Sequence, residues 1–119
     1  MRYMLLFYSP EMPADHIPSE AEMSQMRQVW GAYMGALAGS GVMRGGEALM
    51  PSRSATTIRI RDTGRQVQDG PMADSKEQLG GYVVIDVADL DAAMHWAAQS
   101  PAALVGAVEV RPIIENPLG

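Results

Sequence analysis

Cysteine is absent from the 119 residues, which excludes disulfide staples and thiolate metal sites. Basic charge is scarce. Nine Lys and Arg stand against 14 Asp and Glu, for a formal net charge of −5. That balance speaks against gripping nucleic acid through its phosphates, which wants a basic face. Arg59, Arg61 and Arg65 come closest to a basic patch, but Asp62 and Asp69 dilute it, as on a solvated hairpin. No apolar run approaches the ~18 residues of a membrane span, so no membrane partner is expected. The opening residues 1–8 hold one basic residue and a short apolar run, and Ser9-Pro10-Glu11 offers no small-residue cleavage site. No secretory leader is expected, and the cytoplasm is the expected compartment. The two histidines, His16 and His95, have no second ligand at metal-binding spacing. The glycines at 39–46 lack the spacing of a phosphate loop. Neither a metal nor another cofactor is expected.

What is present suits a folded core. The chain is 47% hydrophobic and 19% charged, unlike a disordered one. Its length is that of one domain, taken as residues 1–119. Residues 2–8 read as a strand that is apolar on both faces. Ser19-Glu20-Ala21-Glu22 is a capping box. Behind it Met23, Met26, Trp30, Tyr33, Met34 and Leu37 recur at helical spacing until Gly39-Ser40-Gly41 stops the helix. Residues 42–50 predict a strand, with a bulge at Gly45-Gly46. Residues 56–61 alternate, with Thr56, Ile58 and Ile60 on one face, and pair through a turn at 62–64 with a short return strand at 65–68. Residues 69–81 are irregular, and 82–87 form a strand. Asp89 caps a second helix from Leu90 to about Gln99, stopped at Pro101, with Leu90, Ala93, Met94 and Ala97 facing inward. The last strand runs over 107–114, where Glu109, Arg111 and Ile113 share a face.

Two strand–helix–strand units separated by a hairpin predict an α+β, ferredoxin-like fold with an antiparallel sheet and both helices on one face. The strands at 2–8 and 82–87 are apolar on both faces, more than two helices can cover. A second sheet from a twin subunit is the simplest cover, so a homodimer built as an α+β barrel is expected.

Two readings of Asp69-Gly70-Pro71 stand side by side. It is a structural turn, or it holds Asp69 at a pocket mouth beside Lys76 and Glu77. Glu109 and Arg111 form a structural ion pair, or Arg111 offers its fork to an anionic ligand. Tyr82 is a core residue or presents its hydroxyl to the same cleft.

The stretch Asp69-Gly70-Pro71-Met72-Ala73-Asp74-Ser75-Lys76-Glu77, then Gly80-Gly81-Tyr82, then Glu109-Val110-Arg111-Pro112 resembles the YCII-related superfamily, in its DGPF-domain branch. Met72 stands where that branch has Phe. The resemblance implies a dimeric α+β barrel. For some relatives it implies a His–Asp pair in a cleft, with the His on the first helix, acting on small molecules. The first helix here has no His, and Trp30 falls near that position, so the base is not carried over. For other relatives it implies association with an extracytoplasmic-function sigma factor. The first expectation is a protein that binds a small polar or anionic molecule, or acts on it as a cofactor-free lyase or isomerase. Asp69 or Glu77 would be the acid–base group, and Lys76, Tyr82, Glu109 and Arg111 would hold the ligand. The second expectation is a regulatory protein working with a sigma factor. No residue is a nucleophile with an evident base, so the sequence leaves open whether the protein is an enzyme.

Overall fold

The computed structural model describes residues 1–116. Strand β1 (Arg2–Pro10) leads through a loop to helix α1 (Glu20–Ser40), then β2 (Met43–Ala48) and a single 3-10 turn at Ser52–Ser54. A hairpin follows, β3 (Thr56–Arg61) and β4 (Gly64–Asp69). The central strand β5 (Glu77–Asp86), helices α2 (Leu90–Ala98) and α3 (Pro101–Val105), and β6 (Ala107–Pro112) complete the chain.

The main sheet has the order β2-β5-β1-β6 and its pairings are antiparallel. Each strand–helix–strand unit therefore spans a strand of the other unit, which is the interleaving of the ferredoxin-like fold. Alternation divides the strands between two faces. Tyr3, Leu5, Phe7, Val83 and Ile85 point to one face and are buried under Tyr33 and Leu37 of α1 and Ala93, Ala97 and Ala102 of α2 and α3. Met4, Leu6, Tyr8, Tyr82 and Val84 occupy the opposite face and remain partly exposed, with no helix over them.

Local chemistry sets the ends of the elements. Ser19 Oγ accepts from the Glu22 amide at 3.1 Å, and the Glu22 carboxylate accepts from the Ser19 amide at 3.2 Å. Those hydrogen bonds, with His16 3.3 Å away, hold the Glu22 carboxyl below its usual range. Gly41 ends α1 at φ 81°, a conformation that favours glycine. The β2 bulge lies between Met43 and Gly45. Pro101 stops α2 and, with Ser100 as cap, begins α3.

One expectation about facing changes in part. Ala93 and Ala97 of α2 face inward as expected, while Leu90 and Met94 are about half exposed. Small residues let α2 lie close to the sheet, and the larger ones turn outward. In the hairpin, Ile58, Ile60 and Val67 are 57%, 67% and 57% exposed, while Thr57 and Arg59 on the other face are partly covered. The hairpin forms a separate two-stranded sheet, and its apolar face is left open among the described residues. The molecule is a plate of 49 × 48 × 18 Å. Its radius of gyration of 16.6 Å exceeds the roughly 13–14 Å of a compact domain this long.

Candidate functional site

The main cavity lies between α1 and the sheet. Helix α1 is packed down only over its second half, through Trp30, Tyr33, Met34 and Leu37. Its first half overhangs the sheet, leaving Met23, Met26 and Val29 exposed. Beneath the transition is a cleft of about 440 Å³. Phe7, Trp30, Met26, Met34, Val83, Ala48 and Ala102 form its apolar lining, and Ser9 brings a hydroxyl. Its floor is built from Gly46, Gly80 and Gly81. A Cβ at Gly81 would stand 2.9 Å from the Glu47 carbonyl oxygen, so β2 and β5 approach closely where the floor is bare. Glu47 and Tyr82 pair with each other across these strands. Alternation puts their side chains on the opposite face, so they border the cleft through main chain.

An aromatic cluster fixes the cleft wall. Phe7 and Trp30 meet edge to face with centroids 5.2 Å apart, and Tyr33 lies 6.1 and 6.0 Å from them. The Tyr33 hydroxyl donates to the Trp96 carbonyl at 2.9 Å, which ties α1 to α2. Burial pushes its phenol up to about 12.

The residues expected from sequence fall in two other places. Tyr82, Glu109 and Arg111 share the uncovered sheet face: Leu6 stands between Tyr82 and Glu109, and Met4 pairs with Arg111. Arg111 donates to Glu109, and the Tyr8 hydroxyl lies 3.4 Å from Glu109 Oε1. Burial pushes the Tyr8 phenol above its ordinary value, and the Glu109 carboxylate adds to this. Asp69 ends β4, Glu77 opens β5 and Lys76 lies in the connection between them, all three exposed. Among the described residues no hydrogen bond or ion pair joins their side chains to one another.

Neighbouring residues order that connection. Gly70, at φ 108°, donates its amide to the Ala55 carbonyl at 2.7 Å and accepts from the Thr57 hydroxyl at 2.8 Å. Gln68 Nε2 donates to the Pro71 carbonyl, and Gln78 Nε2 to the carbonyls of Ala73 and Ser75. The connection borders a second hollow of about 320 Å³, lined by Met50, Pro51, Ala55, Pro71, Gln78 and Leu79 among others. At its side the Glu11 carboxylate accepts from Ser52 through both hydroxyl and amide, which holds its carboxyl below the usual range.

Of the residues expected from sequence, only Tyr82 borders the 440 Å³ cleft. Trp30, Met26 and Met34 were legible only as a core stripe. The signal that could point to a cleft is the pair of glycines, Gly80 and Gly81, in a central strand facing the apolar stripe of α1. Among the described residues no group of three or more His, Asp or Glu gathers as a metal site, and no helix is long and apolar enough to cross a membrane.

An uncharacterised protein of Rhizobium meliloti (strain 1021) is 33% identical over 115 residues, which is 95% of this chain and 92% of that protein. The model of the YCII-related domain matches residues 1–116. The chain therefore belongs to the YCII-related family.

Proposed function

We propose that the protein binds a small, largely apolar molecule in the cleft between α1 and the sheet, as a homodimer joined through the uncovered sheet face. The observation that carries this reading is the cleft itself. It has the size of a small-molecule site, about 440 Å³, with Phe7 and Trp30 as stacking surfaces and Ser9 as a hydrogen-bonding group. Met26 and Met34 let its wall adapt to shape. The apolar lining favours an uncharged, ring-containing ligand over the anionic one expected from sequence. An enzymatic role would need an acid–base group at the cleft, and Asp69 and Glu77 lie exposed at the end of β4 and the start of β5, outside its lining. In this reading Asp69, Lys76 and Glu77 belong to an ordered turn. Tyr82, Glu109 and Arg111 belong to the dimer face, where the half-exposed Met4, Leu6 and Val84 supply the apolar centre. A regulatory protein docking a sigma factor has no need of an open cleft, so the cavity favours the ligand-binding reading.

The test titrates N-phenyl-1-naphthylamine, a neutral aromatic probe, into the wild type and Ala48→Phe. The wild type is expected to bind it, and Ala48→Phe, which fills the cleft mouth, to lose it while staying folded. Asp69→Ala should bind as the wild type does. Retained binding in Ala48→Phe, or loss in a folded Asp69→Ala variant, contradicts the assignment.

A further inference from the structure

Three glycines floor the cleft, Gly46, Gly80 and Gly81, and two of them are there for the fold. A Cβ at Gly46 would stand 2.6 Å from the Tyr82 carbonyl oxygen, and one at Gly81 would stand 2.9 Å from the Glu47 carbonyl oxygen. Those oxygens are main chain of paired strands and cannot step aside. Gly80 is different. Among the described residues a Cβ there would meet one atom, the Phe7 carbonyl oxygen, at 4.0 Å, which is ordinary contact. Its φ is not positive, so no left-handed turn demands glycine either. A glycine inside a strand loosens it, through backbone entropy and missing side-chain packing. Gly80 therefore costs stability at a position where the fold would accept a side chain.

Gly80 is also where β5 bulges. Phe7 pairs with Gly81 and Tyr8 with Leu79, so Gly80 is the extra residue with no partner on β1. Its carbonyl accepts from the Leu49 amide at 2.9 Å, which pins the bulge from the other side. A bulge lifts a residue out of the ladder and re-aims it, and this one lies in the cleft's lining. Gly80 is exposed there while Gly81 beside it is buried. We infer that Gly80 is the specificity-determining position of the cleft: its missing side chain leaves a bare main-chain floor for a flat ring system and sets how large a ring system fits. The inference rests on the ligand-binding reading and assigns its size limit to one residue. Met26 and Met34 on the opposite wall can move aside for a ligand, whereas a floor of paired main chain cannot. The floor is therefore where size is decided, and a side chain at residue 80 occupies ligand space without straining its neighbours.

The test compares Gly80→Ala, Gly80→Leu and Gly81→Ala with the wild type and Ala48→Phe, by titration with N-phenyl-1-naphthylamine and by urea unfolding. Gly80→Ala is expected to weaken the probe by about tenfold or more, the effect of one methyl group in an apolar pocket. Gly80→Leu is expected to abolish binding. The urea midpoint of Gly80→Ala should equal or exceed that of the wild type, because alanine restricts the unfolded chain at a position that tolerates it. Gly81→Ala should lower the midpoint through the Glu47 carbonyl oxygen. Loss of binding without loss of stability is what a purely structural glycine would not give. Wild-type affinity in Gly80→Ala, or binding retained in Gly80→Leu, overturns the inference, and if Ala48→Phe still blocks the probe the ligand-binding reading stands. A midpoint for Gly80→Ala as low as that of Gly81→Ala also overturns it, since the glycine then serves the fold. A wild type that binds no probe overturns the reading and the inference together.

Discussion

Gly106 shows how much can hang on one absent side chain. Its φ is −149°, so the residue is not there for backbone freedom. It is there because β1 passes directly beside it: a Cβ would collide with the Tyr8 carbonyl oxygen and stand 2.8 Å from Ser9 Cα. The colliding atoms are main chain and yield only if β1 shifts. Gly106→Ala is expected to cost about 1–3 kcal/mol in urea unfolding, the usual range for overpacking. Tyr33 gives a second residue-scale prediction, with a pH signature. Its phenol holds its proton up to about 12 in the folded protein, against about 10 when unfolded. Its contribution is therefore complete below pH ~10 and is lost as pH rises from ~10 towards ~12, because the unfolded chain gives up the proton first. Urea midpoints measured across that window should fall in the wild type and fall less in Tyr33→Phe. Below the window, Tyr33→Phe is expected to cost about 0.5–1.5 kcal/mol, the net worth of one hydrogen bond, since the Trp96 carbonyl keeps the Gln99 amide at 3.3 Å.

At the scale of elements, the first turn of α1 makes the simplest test. Ser19→Ala removes the acceptor for the Glu22 amide and is expected to lower stability by about 1 kcal/mol, read from the shift in urea midpoint. This capping box was legible in the sequence because it depends on four consecutive residues. So were the hairpin, the Asp89 cap and the order of the strands and the two longer helices, which follow from local periodicity and turn chemistry, whereas α3 and the first half of β5 at 77–81 were not. The facing of α2 was legible in part: Ala93 and Ala97 face inward as their spacing predicts, but Leu90 and Met94 turn outward because only small residues fit where the helix lies close to the sheet. The candidate site was less legible still. The polar residues of segment 69–77 stand out in the sequence, while the hydrogen bonds from Gln68, Thr57 and Gln78 that order it join residues far less conspicuous there. The cleft is made of residues that look like core, and it lies where the first half of α1 stands off the sheet.

The whole molecule is a plate with one face under helices and the other bare. If the bare face is the dimer face, Leu6→Asp puts a carboxylate into its apolar centre, beside Glu109 and Tyr82. A charge buried without a partner is costly, so sedimentation should show Leu6→Asp as a monomer where the wild type is a dimer. The hydrogen bonds that shape the cleft wall lie on the other face and are left intact. The central claim is that the space between α1 and the sheet takes a small apolar ligand. The ten methionines offer the most direct measurement, through their labelled methyl resonances during titration with N-phenyl-1-naphthylamine. The account predicts that the methyls of Met26 and Met34 move together with saturation while those of Met50 and Met72 stay still. Shifts confined to Met50, beside the second hollow, or no saturating shift at Met26 and Met34, would contradict it.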